Sequence, residues 1–143
     1  MIPSPLFTDG GNSDDEAVSC SGGRRDQGCF SARFMWRREG AGELYTYLPP
    51  GIDANTKVCS VPPESDCNDT FGQSVGRGSF SFTPGTRTTI GQRVRLNDPG
   101  AENGELELFV NGKSMFSVTG LVLANTDAGR IRGIQMQSFF GGA

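Results

Sequence analysis

The sequence predicts an all-β protein, an antiparallel β-sandwich or jelly roll formed by one domain over residues 1–143. A length of 143 residues suits a single domain. The chain has 21 glycines and a hydrophobic fraction of 35%. This composition favours short strands joined by glycine turns, because a glycine inside a helix costs about 1 kcal/mol. No helical periodicity persists beyond a turn, whereas alternating runs recur along the chain.

The first strand is predicted at residues 29–37, after 28 residues that are expected to be loop. That leading segment is dominated by glycine, proline, serine and aspartate and has no sustained periodicity. In residues 29–37, apolar side chains alternate with polar or longer ones, which is the pattern of a strand with one apolar face. The apolar positions are Phe30, Ala32, Phe34 and Trp36, and those between them include Ser31, Arg33, Met35 and Arg37.

A second strand is predicted at residues 43–48, where Tyr45 and Tyr47 share a face with Glu43. The two prolines and the glycine that follow end this strand. Residues 51–75 are expected to be a long insertion that carries two of the four cysteines.

The remaining strands are predicted at residues 79–82, 88–96, 106–110, 114–118 and 130–139. The best-defined connection among them is Asn111-Gly112, which separates two alternating apolar runs. Asn-Gly in that setting predicts a two-residue hairpin with a type I′ turn, in which both residues have positive φ.

The cysteines fall into two close pairs, Cys20 with Cys29 and Cys59 with Cys67. Each enclosed segment is rich in turn residues, as a short disulfide loop requires. The alternative of a zinc site is disfavoured because there is no CxxC spacing and no histidine. Asn68 begins a glycosylation sequon, and together with paired cysteines it favours a secreted, extracellular protein.

Composition also limits the partners and the chemistry. The net charge of −3 gives no general attraction to nucleic acid or anionic membranes, so neither is expected as a partner. No window approaches the ~18 apolar residues of a membrane span. The absence of histidine excludes Ser-His-Asp, Cys-His and His-ligated metal chemistry, and no phosphate-binding glycine loop is present. No cofactor or metal is expected, although calcium binding and the oligomeric state stay open.

Candidate chemical groups converge on the first two strands. If these strands pair, Ser31 and Arg33 lie on the same sheet surface as Tyr45 and Tyr47. The alternative interpretation places the tyrosine hydroxyls in water and makes Arg33 a solvated surface charge.

Other polar groups have plainer interpretations. Arg37, Arg38 and Glu43 are expected to be solvated, and Asp14, Asp15 and Glu16 to lie in a loop. Gln135 and Gln137 share one face of the last strand, which suits either an ordinary polar surface or contacts with sugar hydroxyls.

Five long motifs, in order, resemble the fungal family-14 polysaccharide lyases, and the resemblance runs from about Pro3 to the C-terminus. The motifs are CSGGRRDQGCFSARFMWR, GAGELYTYLPP, SVGRGSFSF, RVRLNDPGAENGELELFVNGKS and AGRIRGIQMQSFFGG. The resemblance implies a jelly roll of concanavalin-like antiparallel sheets. It also implies β-elimination on acidic polysaccharides such as alginate or glucuronan, which leaves a 4,5-unsaturated sugar.

The resemblance carries over two pairs of site residues. The family's Ser-x-Arg pair matches Ser31 and Arg33, and its Tyr-x-Tyr pair matches Tyr45 and Tyr47. These four are the expected catalytic residues, with Arg37, Gln135 and Gln137 as candidates for substrate binding.

The chain departs from the family pattern at its start. The family has a catalytic lysine before its Gly-Gly loop, and Met1 falls at that place here. The only lysines are Lys57 and Lys113, and neither matches the motif. The chain resembles a domain truncated at both ends. It is therefore expected to be either a lyase weakened by the missing lysine or, alternatively, a non-catalytic acidic-glycan-binding or defence protein on the same fold.

Overall fold

The computed structural model describes residues 6–11 and 20–136, without the side chains of residues 6–11 and of Gln135. Within these residues, nine strands form two antiparallel sheets. The strands are β1 (Leu6–Gly11), β2 (Cys29–Trp36), β3 (Ala41–Tyr47), β4 (Glu64–Cys67), β5 (Gln73–Ser81), β6 (Ile90–Arg95), β7 (Gly104–Val110), β8 (Lys113–Leu121) and β9 (Arg130–Met136). A 3₁₀ turn at Arg38–Gly40 joins β2 to β3, and a 3₁₀ helix spans Asp53–Ser60.

The larger sheet has the order β4-β5-β3-β2-β1-β9, and the smaller has the order β6-β7-β8. Their facing sides share one apolar core. Phe30, Phe34 and Leu44 of the larger sheet contribute to it with Leu106 and Leu108 of the smaller. The predicted alternation is therefore confirmed, since the even-numbered residues of β2 and β3 pack inward. The opposite side of the larger sheet does not face the smaller sheet and is called the outer face below.

The predicted hairpin at Asn111-Gly112 is confirmed. The two residues have φ angles of 50° and 78°, and Val110 pairs with Lys113. Both φ angles are positive, as a type I′ turn requires.

The expectation that residues 1–28 form loop is wrong for β1. This strand lies between β2 and β9 and pairs with both. Its sequence LFTDGG is too short and glycine-rich to signal a strand by periodicity, and the pairing on both edges stabilises it. Asp14, Asp15 and Glu16 lie outside the described residues.

Residues 51–75 are more ordered than an insertion loop. They contain the 3₁₀ helix, edge strand β4 and the start of β5. The predicted disulfides are both present, and Cys59–Cys67 ties the 3₁₀ helix to β4. Strand β5 begins six residues before its predicted start. Its first part gave no strand pattern because Gly76 and Gly78, with φ angles of 61° and 78°, interrupt the alternation of side chains.

Candidate functional site

The pairing of β2 with β3 brings the four predicted residues together on the outer face. Ser31 lies opposite Tyr47, and Arg33 lies opposite Tyr45. The two tyrosine rings meet edge to face, with centroids 5.7 Å apart and planes at 82°. The Arg33 guanidinium carbon lies 5.4 Å from the centre of the Tyr47 ring. The expected placement of these side chains on one surface is therefore confirmed.

Their surroundings differ from the solvated alternative. Tyr47 is 2% exposed and Arg33 is 9% exposed, while Ser31 is fully buried. Only Tyr45 is partly open to solvent among the four. Three of the four groups are therefore covered from the outer side, which a period-2 pattern alone does not reveal.

The cover is the loop closed by the Cys20–Cys29 disulfide. The Cys20 carbonyl accepts hydrogen bonds from Ser31 Oγ at 2.6 Å and from an Arg33 guanidinium nitrogen at 3.0 Å. The disulfide itself packs with Tyr47 in a small buried cluster. This loop thus holds the Ser-x-Arg pair in place while it shields the inner tyrosine.

Each tyrosine oxygen accepts a hydrogen bond from a backbone N–H. Gly23 of the disulfide loop donates to Tyr47 at 3.0 Å, and Gly72 donates to Tyr45 at 3.1 Å. A donor aimed at a phenol oxygen favours the negatively charged form of that oxygen. Both phenols are therefore positioned to carry or pass on a proton.

The pKa of Tyr45 is raised above its ordinary value of 10.0, mainly by burial and also by the Tyr47 hydroxyl. The Gly72 N–H and the Arg37 guanidinium oppose this rise in pKa. Tyr45 therefore remains protonated at neutral pH and suits the role of a general acid.

We expect this shift to make the folded protein less stable at alkaline pH. Because the folded-state pKa lies above the unfolded one, the stabilisation is fully present below about pH 10 and is lost as the pH rises through the folded-state value. Tyr45→Phe removes this term, so its free energy of unfolding should fall less steeply above about pH 10. Urea unfolding across this range measures the difference, and identical slopes for the two proteins would contradict the prediction.

The expectation that Glu43 is solvated is wrong. Its carboxylate is fully buried on the outer face, two residues before Tyr45. One oxygen accepts from Arg37, and the other accepts from Arg77 Nε at 2.9 Å and from Ser74 Oγ at 2.5 Å. A buried carboxylate needs such partners because desolvation of an unpaired charge is costly.

Arg77 and Ser74 were missed as site residues because both lie in the part of β5 that lacked a strand signal. The sequence did offer a signal for Glu43, which is a charged residue on the same strand face as Tyr45 and Tyr47. Arg37 is partly exposed, with 39% of its side chain open, but its guanidinium is engaged by Glu43. The pKa of Arg77 is raised, chiefly by its hydrogen bond to Glu43.

The other candidate groups either lie away from this cluster or fall outside the described side chains. Gln135 belongs to β9, which β1 separates from β2, and its side chain is outside the description, as is all of Gln137. Met1 also lies outside the described residues. Lys57 donates to the Gly120 carbonyl on the smaller sheet, and Lys113 lies in β8. In the described part of the chain, no group of three or more potential metal ligands is found.

Gly72 has no room for a side chain. A β-carbon at this position would lie 2.5 Å from the Thr46 carbonyl oxygen and 2.7 Å from the Tyr47 ring. We expect Gly72→Ala to cost about 1–3 kcal/mol of stability. The change should also displace the Gly72 N–H, which donates a hydrogen bond to the Tyr45 oxygen. Gly133→Ala is the matched control, because nothing lies within 4 Å of its added carbon. Thermal unfolding of both variants checks this, and equal melting temperatures would contradict the steric argument.

The family model for polysaccharide lyase 14 matches residues 6–143, almost the whole chain. The chain belongs to polysaccharide lyase family 14. No curated protein sequence matches it significantly. Its family membership therefore rests on the model match, and its fold is supported by solved structures.

The marine PL-14 alginate lyase from Aplysia kurodai superposes on this lyase-family chain with a TM-score of 0.79 and 28% identity, covering 99% of this chain and 62% of that one. The alginate lyase vAL-1 from Chlorella virus matches with a TM-score of 0.65, 17% identity and coverage of 98% and 54%. The family-14 chain thus spans about three-fifths of the Aplysia enzyme's length. The predicted jelly-roll fold is confirmed.

The covalent and surface features of this family-14 domain are consistent with an extracellular protein. Both disulfides are formed, and the sequon residue Asn68 is exposed. None of the helices in the described ranges has the length and apolar character needed to cross a membrane.

Proposed function

We propose that this protein is a secreted lyase that cleaves an acidic polysaccharide of the alginate or glucuronan type by β-elimination. The observation that carries the proposal is the pair of tyrosine hydroxyls beside Arg33 and Ser31 on one sheet face of a family-14 chain. Two solved alginate lyases with similar structures support the same class of substrate.

β-Elimination from a uronate has three requirements. The C5 carboxylate must be neutralised so that the C5 proton becomes acidic, a base must remove that proton, and an acid must protonate the departing O4. The electron pair of the C5–H bond then forms the C4=C5 double bond, and the pair of the C4–O4 bond leaves with the oxygen. No water or external oxidant is consumed.

Arg33 is the residue suited to the carboxylate, because a guanidinium meets a carboxylate with two parallel hydrogen bonds. Ser31 lies two residues away on the same face and shares the Cys20 carbonyl with Arg33. Because both donate to that carbonyl, the disulfide loop sets the orientation of the two side chains. The loop is therefore assigned a part in positioning the site.

The two tyrosines supply the proton transfers. Their rings are in contact, and each oxygen accepts a hydrogen bond from a backbone N–H. Tyr47 lies beside Arg33 and is assigned the base, whereas partly exposed Tyr45, with its raised pKa, is assigned the acid. Lys57 is bonded to the smaller sheet and Lys113 lies in β8, so neither is assigned a role.

The first test is incubation with alginate, polyglucuronate and an uncharged glucan. Growth of the ultraviolet absorbance of unsaturated uronate on one acidic polymer, and none on the glucan, is the expected result. A flat trace on both acidic polymers at high protein concentration would refute lyase activity.

A second function, binding of acidic glycan without turnover, is favoured by one observation. Ser31 Oγ and one guanidinium nitrogen of Arg33 already donate to the Cys20 carbonyl. Retardation of the protein in gels containing alginate, together with a flat absorbance trace, would select this function. Arg33→Gln should weaken such binding, while Arg87→Gln, at an exposed loop position, is the charge-matched control.

A further inference from the structure

We infer that Glu43 is a positioning residue of this site: its buried carboxylate fixes the Arg37 guanidinium over the ring of Tyr45, so that a positive charge stands beside the phenol. The Arg37 guanidinium carbon lies 5.7 Å from the centre of the Tyr45 ring. The catalytic value of this charge rests on the proposed β-elimination. The position of Arg37 beside Tyr45 is observed independently of that reaction.

Glu43 is well suited to hold a cation in one place. Its Oε1 oxygen accepts from Arg37 Nε at 3.1 Å and contacts a terminal guanidinium nitrogen at 2.8 Å. Its Oε2 oxygen is held by Arg77 and Ser74, so the carboxylate cannot turn away. Because Glu43 is fully buried, these contacts are weakly screened by solvent.

Arg77 extends the anchor to the edge of the sheet. Its guanidinium also pairs with Glu64 of β4 at 3.0 Å, so the cluster joins β3, β5 and β4. Arg77 therefore fixes the carboxylate from one side, while Arg37 reaches from the other side toward the tyrosine.

The charge matters because Tyr45 has to exchange a proton in the proposed reaction. A cation beside a phenol favours its ionised form, and its benefit falls off when the side chain carrying it is mobile. Arg37 alone is a partly exposed arginine with many accessible rotamers. Held by Glu43, it becomes a fixed charge.

Other charged or titratable groups also surround Tyr45, and a test must separate them from Arg37. They lie on β2, β3, β4 and β5 and in the adjoining loops, and are Arg33, Tyr47, Glu43, Asp66, Arg77, Arg25 and Asp69. Single substitutions at Arg37 and Glu43 leave all the remaining groups in place.

The chain has only two tyrosines, which allows a direct measurement. In a Tyr47→Phe background, tyrosinate absorbance reports Tyr45 alone. A stopped-flow pH jump reads this absorbance before alkaline unfolding. No substrate or turnover is involved, so the result stands whether or not the protein proves to be a lyase.

Arg37→Gln should raise the Tyr45 pKa by about one unit, at the low end of the effect of an opposite charge nearby. Arg38→Gln removes the same charge from the exposed neighbouring position and should leave the Tyr45 pKa unchanged. An unchanged pKa in Arg37→Gln, or an equal rise in Arg38→Gln, overturns the proposal.

Glu43→Gln gives a result whose sign decides the role of Glu43. If the carboxylate only adds negative charge near the phenol, its removal lowers the Tyr45 pKa. If it positions Arg37, its removal frees the cation and raises the Tyr45 pKa, and adding Glu43→Gln to Arg37→Gln produces no further rise. A fall of the pKa in the single Glu43→Gln variant overturns the proposal.

Arg37→Lys provides the same decision if Glu43→Gln does not fold. Lysine keeps the charge but lacks the planar guanidinium that grips Oε1 with two nitrogens. Positioning predicts a rise of the Tyr45 pKa in this variant, and a pKa equal to that of the parent contradicts it.

Discussion

Replacement of Tyr47 by phenylalanine is expected to lower the rate of unsaturated-uronate formation by a factor of about 10²–10⁴, the usual contribution of one general acid–base group. The ring keeps its contacts with the Cys20–Cys29 disulfide, so the change removes little besides the hydroxyl. What is lost is the oxygen that accepts the Gly23 N–H and stands beside Arg33. Initial rates of absorbance change on the preferred polymer measure the effect.

Tyr45→Phe is the matched comparison, because it deletes the same atom from the neighbouring ring. Under the proposed roles, both variants lose turnover and retain affinity for the polymer in gel retardation. Full activity in Tyr47→Phe would remove this residue from the mechanism. Loss of binding in parallel with turnover would instead indicate that the hydroxyl contacts the sugar in the ground state.

Removal of the Cys20–Cys29 disulfide, by serine at both positions, is expected to cost about 2.5–3 kcal/mol of stability in the chain-entropy description of a short loop. A larger consequence is expected for turnover. The loop supplies the carbonyl that orients Ser31 and Arg33 and the N–H that Tyr47 accepts. A loosened loop disturbs three of the four site residues together.

The Cys59–Cys67 disulfide offers a control of almost the same loop length, with sequence separations of 8 and 9 residues for the two bridges. Its replacement by serines should lower the melting temperature to a similar degree, because the entropic term depends on loop length. Lyase activity measured well below both melting temperatures should fall further in the Cys20, Cys29 variant. Equal losses of activity would show that the first loop has no special part in the site.

The alternation in β2 and β3 was sufficient to place the four candidate residues on one face, because side chains in a regular strand point alternately to the two sides. The Asn-Gly hairpin was predictable for a similar reason, since positive φ at two successive residues requires particular amino acids. Both features depend on neighbours in the sequence.

The features that were missed depend on distant neighbours. Strand β1 is stabilised by pairing partners on both sides, and these come from other parts of the chain. The burial of Glu43 and Arg33 depends on what covers the outer face, namely arginines from elsewhere and the first disulfide loop. Periodicity identifies the side on which a residue lies but carries no information about a second layer over that side.

In β2 and β3 the even-numbered residues form the core, and the odd-numbered residues form the outer face with its tyrosines and arginines. Most of the odd positions are also buried, beneath the first disulfide loop and the arginines that pair with Glu43. These two strands thus line two separate interiors, one between the sheets and one on the outer face, and the candidate site is built from the second. A substitution at either set of positions is therefore a change to a packed interior, and its effect on activity has to be read beside its effect on stability.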